Sequence, residues 1–260
     1  MNTVNRLAEK IEKAKALDFG NILNESIELF KKTWLQGVLL QLFTLIIMMP
    51  LIIILFLPLI GLIIAQQESG YSGSEALSGF FAGMSILYIL FIFVGIFVLG
   101  AVSVALNAAF FRIIYKLDYN ETVTTSDFFY FVKGKHLSKI FVLMLASFGI
   151  AILAMMLCYL PIFYVMIPLS YFSIVYTFNP ELSVGEIVKT SFKIGNKKWL
   201  LTFGTMFVAS TLAQLVGLLL CGIGFLVTAP FVYHPMYLIY KNVIGFKETD
   251  PIEEIGLLPE

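Results

Sequence analysis

Four blocks of this chain contain no Asp, Glu, Lys or Arg: Trp34 to Gln67, Ala76 to Phe111, Ile140 to Pro180, and Trp199 to Tyr240. A helix rises 1.5 Å per residue, so about 20 apolar residues cross the ~30 Å hydrocarbon of a bilayer. Every block meets that length. Soluble domains carry roughly 25% charged residues and about 45–50% apolar ones. Here 13% are charged and 59% hydrophobic, with 25 Phe. The chain is expected to be an integral membrane protein of the all-α class, a polytopic membrane helix bundle.

The last two blocks are each long enough for two spans and carry a breaker midway: "CYLPIF" around Pro161, and "CGIGF" around Gly222 and Gly224. Each is expected to be a tight helical hairpin. The first two blocks are single overlong helices that must tilt, kink or protrude, with Pro50 and Pro58 as kink points in the first. This predicts six transmembrane helices. All 17 Lys and Arg residues then fall on the side shared by the two termini, and the far side carries only Glu68 and Glu75. By the positive-inside rule both termini are cytoplasmic. The first 33 residues lack the apolar core of a signal peptide, so the first span is expected to act as an uncleaved insertion signal. No block of like charge marks a nucleic-acid surface, and no nucleic-acid partner is expected. Membrane lipids are the expected surroundings.

A pattern recurs at an offset of 165 residues: Gly20, Ile22, Ser26, Lys32, Trp34 and Leu35 match Gly185, Ile187, Ser191, Lys197, Trp199 and Leu200. Apolar positions 22, 23, 27, 30 and 34 share one helical face, as do 187, 188, 192 and 199. Lys31 and Lys32, like Lys197 and Lys198, sit just before the Trp. Indole favours the headgroup level, so these six residues are the expected membrane-interface anchors. Each copy is predicted to be a cytoplasmic amphipathic helix that turns at its Trp into a span. A fainter third copy, "TSDFFYFVKGKHLSKIF", has an apolar helix at 128–132. The expected organisation is a cytoplasmic arm over 1–17, a membrane domain over 18–245 and an acidic tail over 246–260. Repeat units begin near 18, 124 and 182, in parallel rather than inverted arrangement. The arm, with Leu7, Ile11 and Leu17 among alternating Glu and Lys, reads as a solvated or surface helix and a docking arm for a protein partner on the cytoplasmic face.

The stretches "LDFGNILNESIELFKKTW", "FFRIIYKL", "SVGEIVKTSFKIGNKKWLLTFG" and "GIGFLVTAPFVYHPMYLIYKNV" resemble a bacterial group of six-span proteins. The group includes the membrane domain of some glycerophosphodiester phosphodiesterases. The resemblance covers roughly residues 17 to 245 and implies the bacterial inner membrane. The phosphodiesterase catalytic domain has no counterpart here. Members from the Bacteroidetes often carry the label of beta-carotene monooxygenase. Such oxygenases hold iron with several histidines, whereas this chain has two, His136 and His234, and no acidic residue within a span. That activity is not expected.

An ionisable residue within a span raises a functional question by default. His234 lies between Pro230 and Pro235, which leave backbone carbonyls without their usual partners. The plainer expectation is a neutral imidazole donating to such a carbonyl or to a tyrosine; the sharper one is a pH-sensing or substrate contact. Asn107, Gln41 and Gln214 are the other intramembrane polar candidates, read either as interhelical hydrogen bonds or as the lining of a polar path. Small residues at Gly79, Gly83, Ala101, Ala105 and Ala109 allow close helix packing. Cys158 and Cys221 are expected to pack rather than pair. Phosphate-loop, zinc-protease, serine-hydrolase and Cys-x-x-Cys patterns are absent, so no catalytic, cofactor-binding or metal-ligating residues and no cofactors are expected. The sequence favours a non-enzymatic scaffold or regulatory partner in a membrane complex. The alternative is a permease or transporter subunit for an uncharged or lipid-like substrate.

Overall fold

The computed structural model describes residues 3–69, 86–157 and 160–246, and among these every regular element is helical. The helices are α1 (Thr3–Lys13), α2 (Phe19–Ser69), α3 (Ile86–Asp118), α4 (Gly134–Met156), α5 (Leu160–Phe178), α6 (Val184–Lys197), α7 (Trp199–Leu219), α8 (Gly224–Thr228) and α9 (Tyr233–Val243), with 3-10 turns at Thr125–Val132 and Ala229–Val232. Five of them, α2 to α5 and α7, are long and apolar enough to cross a membrane. The region expected to hold a sixth span is helical in three consecutive pieces, α8, the second 3-10 turn and α9. The "GFFAG" stretch, Glu75, Cys158 and the acidic tail after Phe246 lie outside the described residues.

Two expectations need correction. The first repeat does not turn at its tryptophan: α2 runs through Trp34 as one helix of 51 residues, about 75 Å long at 1.5 Å per residue. Only the second copy breaks, at Lys198, where φ −117° and ψ 23° leave the helical region between α6 and α7. A packing difference accompanies the break. Gly195 lets α6 lie so close to α5 that a Cβ there would meet Pro168 Cα at 2.7 Å. The first copy carries the bulky Phe30 at the matching place. The third copy is not an amphipathic surface helix but an eight-residue 3-10 turn. Its Phe128 and Phe131 are buried, and Phe128 meets Phe43 of α2 edge-on at 5.2 Å.

The hairpin expected around Gly222 is present, and its chemistry is local. Cys221 and Gly222 take positive φ, 52° and 85°, and the Gly222 N–H donates to Gly217 O at 3.0 Å, ending α7. Gly224 then passes so close to Gly217 that an added Cβ would meet Gly217 Cα at 2.9 Å. Cys221, expected as a packing residue, is instead exposed with a free thiol, because the turn points it outward.

The prolines inside helices account for two interhelical contacts and one local one. Proline has no N–H, so the carbonyl four residues earlier loses its partner, a cost of several kcal/mol in hydrocarbon if nothing replaces it. For Pro58 the orphaned group is Ile54 O, which accepts from the Tyr88 hydroxyl of α3 at 2.6 Å. For Pro168 it is Tyr164 O, which accepts from Trp199 Nε1 of α7 at 3.0 Å. For Pro235 it is Phe231 O, which also accepts from the Tyr233 N–H within the 3-10 turn and lies 3.2 Å from His234 Nδ1. In the first two cases an aromatic side chain from another helix supplies the missing donor, and in the third the His234 ring adds to a backbone one.

One core cluster joins α1 to α9, and it lies toward one end of the bundle. It includes Leu7 and Ile11 of α1, Ile22 and Leu29 of α2, Ile113 and Ile114 of α3, Ile187 and Ile194 of α6, and Tyr237 and Val243 of α9. Ala101, Ala105 and Ala109 are buried on α3. Toward the opposite ends of the long helices large apolar side chains stand outward: Ile86 is 82% exposed, Leu160 77% and Leu219 81%. Such a surface is costly in water and ordinary against lipid tails. The observed architecture is thus an all-α bundle with multi-pass membrane character.

The α5–α6 contact yields a prediction. Gly195→Ala forces a methyl against Pro168 backbone that cannot move aside, and is expected to destabilise the purified protein by about 1–3 kcal/mol. Thermal unfolding in detergent measures it, with Gly185→Ala, where the added methyl meets nothing within 4 Å, as the neutral control.

Candidate functional site

The charged residues converge through contacts between distant segments. Lys10 of α1 donates to Ile244 O at 2.7 Å, just past α9. Glu12 pairs with Lys193 of α6, and Lys198 donates to Lys15 O. Lys241 of α9 binds Asp118 at the end of α3 at 2.6 Å, and the Tyr237 hydroxyl donates to the same carboxylate at 2.8 Å. Asp127, opening the first 3-10 turn, accepts from Lys116 at 2.7 Å and from the Thr124 N–H at 2.9 Å, with Arg112 at 3.7 Å. Burial pushes the Asp127 carboxyl up, but the hydrogen bonds from Lys116 and Thr124 outweigh it and hold the group below the usual carboxylate range. Lys139 donates to Pro180 O at 2.7 Å, tying α4 to the end of α5. The start of α4 and the ends of α1, α3, α5, α6 and α9 therefore meet at one charged end. The arm's apolar stripe is used within the chain, with Leu7 and Ile11 in the common core.

The repeated segments place their residues alike, on a face other than the periodicity favoured. Ile22, Ser26, Leu29 and Thr33 are buried, and so are Ile187, Ser191, Ile194 and Lys198 at the matching positions. Leu23, Ile27 and Phe30 are half-buried, and Trp34 is 47% exposed. Lys31, Lys32 and Lys197 are exposed, with Lys31 paired to Glu28 at 2.6 Å. Lys198 differs: it is buried, and burial together with neighbouring Lys197 lowers its pKa. The two tryptophans also part company. Trp34 stands at the surface, whereas Trp199 stacks on Phe203 at 5.1 Å while completing the Tyr164 carbonyl.

His234 is fully buried, with both ring nitrogens engaged, Nε2 with the Thr33 hydroxyl at 2.6 Å and Nδ1 with Phe231 O at 3.2 Å. A neutral ring satisfies both if Nδ1–H donates to the carbonyl and Nε2 accepts from Thr33. Phe30, Phe110 and Phe231 surround it, with ring centroids 5.5, 6.2 and 6.0 Å away. The plainer of the two expectations describes this geometry. The other intramembrane polar residues are not brought to it: Gln41 is half-buried on α2, Asn107 half-buried on α3, and Gln214 exposed on α7.

Among the described residues no group of three His, Cys, Asp or Glu is placed to hold a metal ion. Two buried polar atoms among the described residues have no hydrogen-bond partner, Gln36 Oε1 and Ser191 Oγ. Sequence reasoning missed Thr33 as the partner of His234, and missed the pairing of Asp118 and Asp127 with the bases of α9 and α3. It also missed a cleft of about 320 Å³ among α3, α4 and α5, lined by residues including Val104, Leu143, Ser147, Phe172 and Tyr176. The clue to Thr33 was in the repeat itself, since hydroxyl residues at 26 and 33 fall seven apart on one face.

The unequal tryptophans give the second prediction. Trp199→Phe removes the donor to Tyr164 O and is expected to cost about 0.6–2 kcal/mol, whereas Trp34→Phe costs little. Adding Pro168→Ala, which returns an N–H to Tyr164 O, is expected to recover most of the loss in a double-mutant cycle of thermal stability.

Compared with protein-family models, with curated proteins and with solved structures, the chain gives no match, so its geometry carries the functional argument.

Proposed function

We propose that this chain is a non-enzymatic six-span protein of the bacterial inner membrane that acts as a scaffold or regulatory partner in a membrane complex. In this reading both termini are cytoplasmic, and the charged end is the face presented to a protein partner. One observation carries it: the ionisable groups of that end are committed to joining helix ends. They stiffen a platform and leave Lys31, Lys32, Lys133, Lys135 and Lys197 on its exposed surface. A permease would draw on a shared polar path through His234, Asn107 and Gln214, and His234 is closed in among phenylalanines.

The sixth span is α8, the second 3-10 turn and α9 taken together, Gly224 to Val243. Its Pro235 break is mended by His234, so the interrupted segment is compatible with hydrocarbon. The matched burial of Ile22, Ser26, Leu29 and Thr33 with Ile187, Ser191, Ile194 and Lys198 supports a parallel internal repeat. The half-buried Leu23 and Ile27 beside exposed Lys31 and Trp34 support an amphipathic, interface-lying start to α2. The resemblance to six-span bacterial membrane proteins agrees with this topology.

Affinity purification in gentle detergent tests the role. A protein partner is expected to co-purify with the wild type and to be lost from Lys32→Glu/Lys197→Glu, while an unrelated six-span protein does not enrich it. Recovery of the chain alone, or binding that survives the charge reversal, overturns the scaffold reading. Topology has a built-in probe in the exposed thiol of Cys221. In a Cys158→Ser background a membrane-impermeant maleimide is expected to label Cys221 in intact cells. A cysteine replacing Asn242 should react only after the membrane is opened.

A further inference from the structure

The α3–α5 cleft takes no part in the platform. Its volume, about 320 Å³, lies at the lower end of the roughly 300–1,000 Å³ typical of small-ligand sites. Its walls are apolar. Three serines line it, but Ser147 donates to Leu143 O at 2.9 Å and Ser170 to Ile167 O at 2.7 Å, so those hydroxyls are spent on their own helices. A polar solute would find few partners here, whereas a hydrocarbon chain needs none. Val104, Met144 and Leu169 are only half-buried, so the cleft communicates with the outside of the bundle.

One end of the cleft is different. Tyr176 closes it, hydrogen-bonded to His136 Nδ1 at 2.7 Å. Lys139 stands 5.6 Å from the centroid of the Tyr176 ring. Arg112 covers the ring of Tyr130 at 4.0 Å, and that ring lies 5.5 Å from His136. Lys133 and Lys135 are exposed beside them. Two nearby acids have partners of their own: Asp127 accepts from Lys116 and Thr124, and Glu186 from Ser183 while also feeling the charge of Lys139. Lys133, Lys135 and Lys139 form no ion pair within 4.0 Å among the described residues. An apolar slot ends in a lysine-rich rim at the membrane surface, with Lys133 and Lys135 exposed and Lys139 held by Pro180 O.

We propose that this cleft is a binding site for an anionic phospholipid, with one acyl chain between α3, α4 and α5 and the phosphate headgroup at Lys135, Lys139 and His136. The shape selects a chain and the charge selects the headgroup; neither alone would separate this lipid from the bulk bilayer. The inference needs the bundle to lie in a membrane and is independent of any protein partner.

The test uses the full chain, purified in detergent and exchanged into nanodiscs of phosphatidylcholine with a minor fraction of phosphatidylglycerol. Native mass spectrometry after release counts the retained lipid. The wild type is expected to retain phosphatidylglycerol above its share of the mixture. Lys135→Gln should weaken that preference about fivefold, the effect of one basic side chain at an anionic surface. Ser147→Phe, which fills the slot, should abolish retention of either lipid while leaving helicity and monodispersity unchanged. Ser147→Ala, which leaves the slot open, keeps the binding and guards against misfolding as the cause. Retention in proportion to the mixture, or retention unaffected by Ser147→Phe, overturns the proposal. So does preference unchanged in both Lys135→Gln and Lys135→Gln/Lys139→Gln, or occupation of the cleft by a co-purified peptide helix. Recovery of the chain from the soluble fraction would instead sink the membrane reading, a result distinct from all of these.

Discussion

Hydrocarbon offers no hydrogen bonds, so every peptide group placed in it must be paired by the protein itself. Helices do this automatically except where a proline removes an N–H. Two of this bundle's interhelical bonds follow from that exception. Tyr88 completes Ile54 O, Trp199 completes Tyr164 O and His234 serves Phe231 O. Two of these bonds join different helices, α3 to α2 and α7 to α5. Since the surrounding lipid is as apolar as leucine, apolar burial gives little reason for helices to associate. Directional bonds to orphaned carbonyls, with close approaches such as Gly195 on Pro168, supply the register that hydrophobic contact alone would leave loose.

Charge partition is the second constraint, and it explains where the core lies. The arm, the 3-10 turn after α3, and α6 all belong to the charged end, so burial is richest there and the opposite helix ends keep their large apolar side chains outward. The bundle is accordingly asymmetric, dense at the end where water can drive burial and open where lipid can fill the gaps. That asymmetry makes an apolar cleft beside a basic rim a natural product of the architecture.

Much of this was legible in the residues. The long uncharged blocks gave the five apolar helices, "CGIG" marked a turn that does take positive φ at Cys221 and Gly222, and the flanking prolines anticipated a carbonyl acceptor for His234. The buried face of the repeat was not legible, for a physical reason. In water apolar periodicity separates inside from outside, but near lipid both faces are apolar, so Trp34 and Leu35 stand outward while Ser26 and Thr33 face in. The small hydroxyl residues were the better guide. The continuity of α2 through Trp34 and the burial of Lys198 escaped for another reason. They depend on which helix packs alongside, and matched sequence does not carry that information. Leu7 and Ile11 likewise read as the stripe of a solvated or surface helix, but the arm packs against α6 and both residues join the common core.

The prolines have a further consequence, which concerns time rather than space. In each mended pair the donor comes later in the chain than the carbonyl it serves, by 34 residues for Tyr88, 35 for Trp199 and 3 for His234. A ribosome feeding the membrane therefore never leaves one of these carbonyls waiting for a distant part of the protein. Each defect is closed by the next helix or two to emerge, so the order of translation and the order of repair coincide.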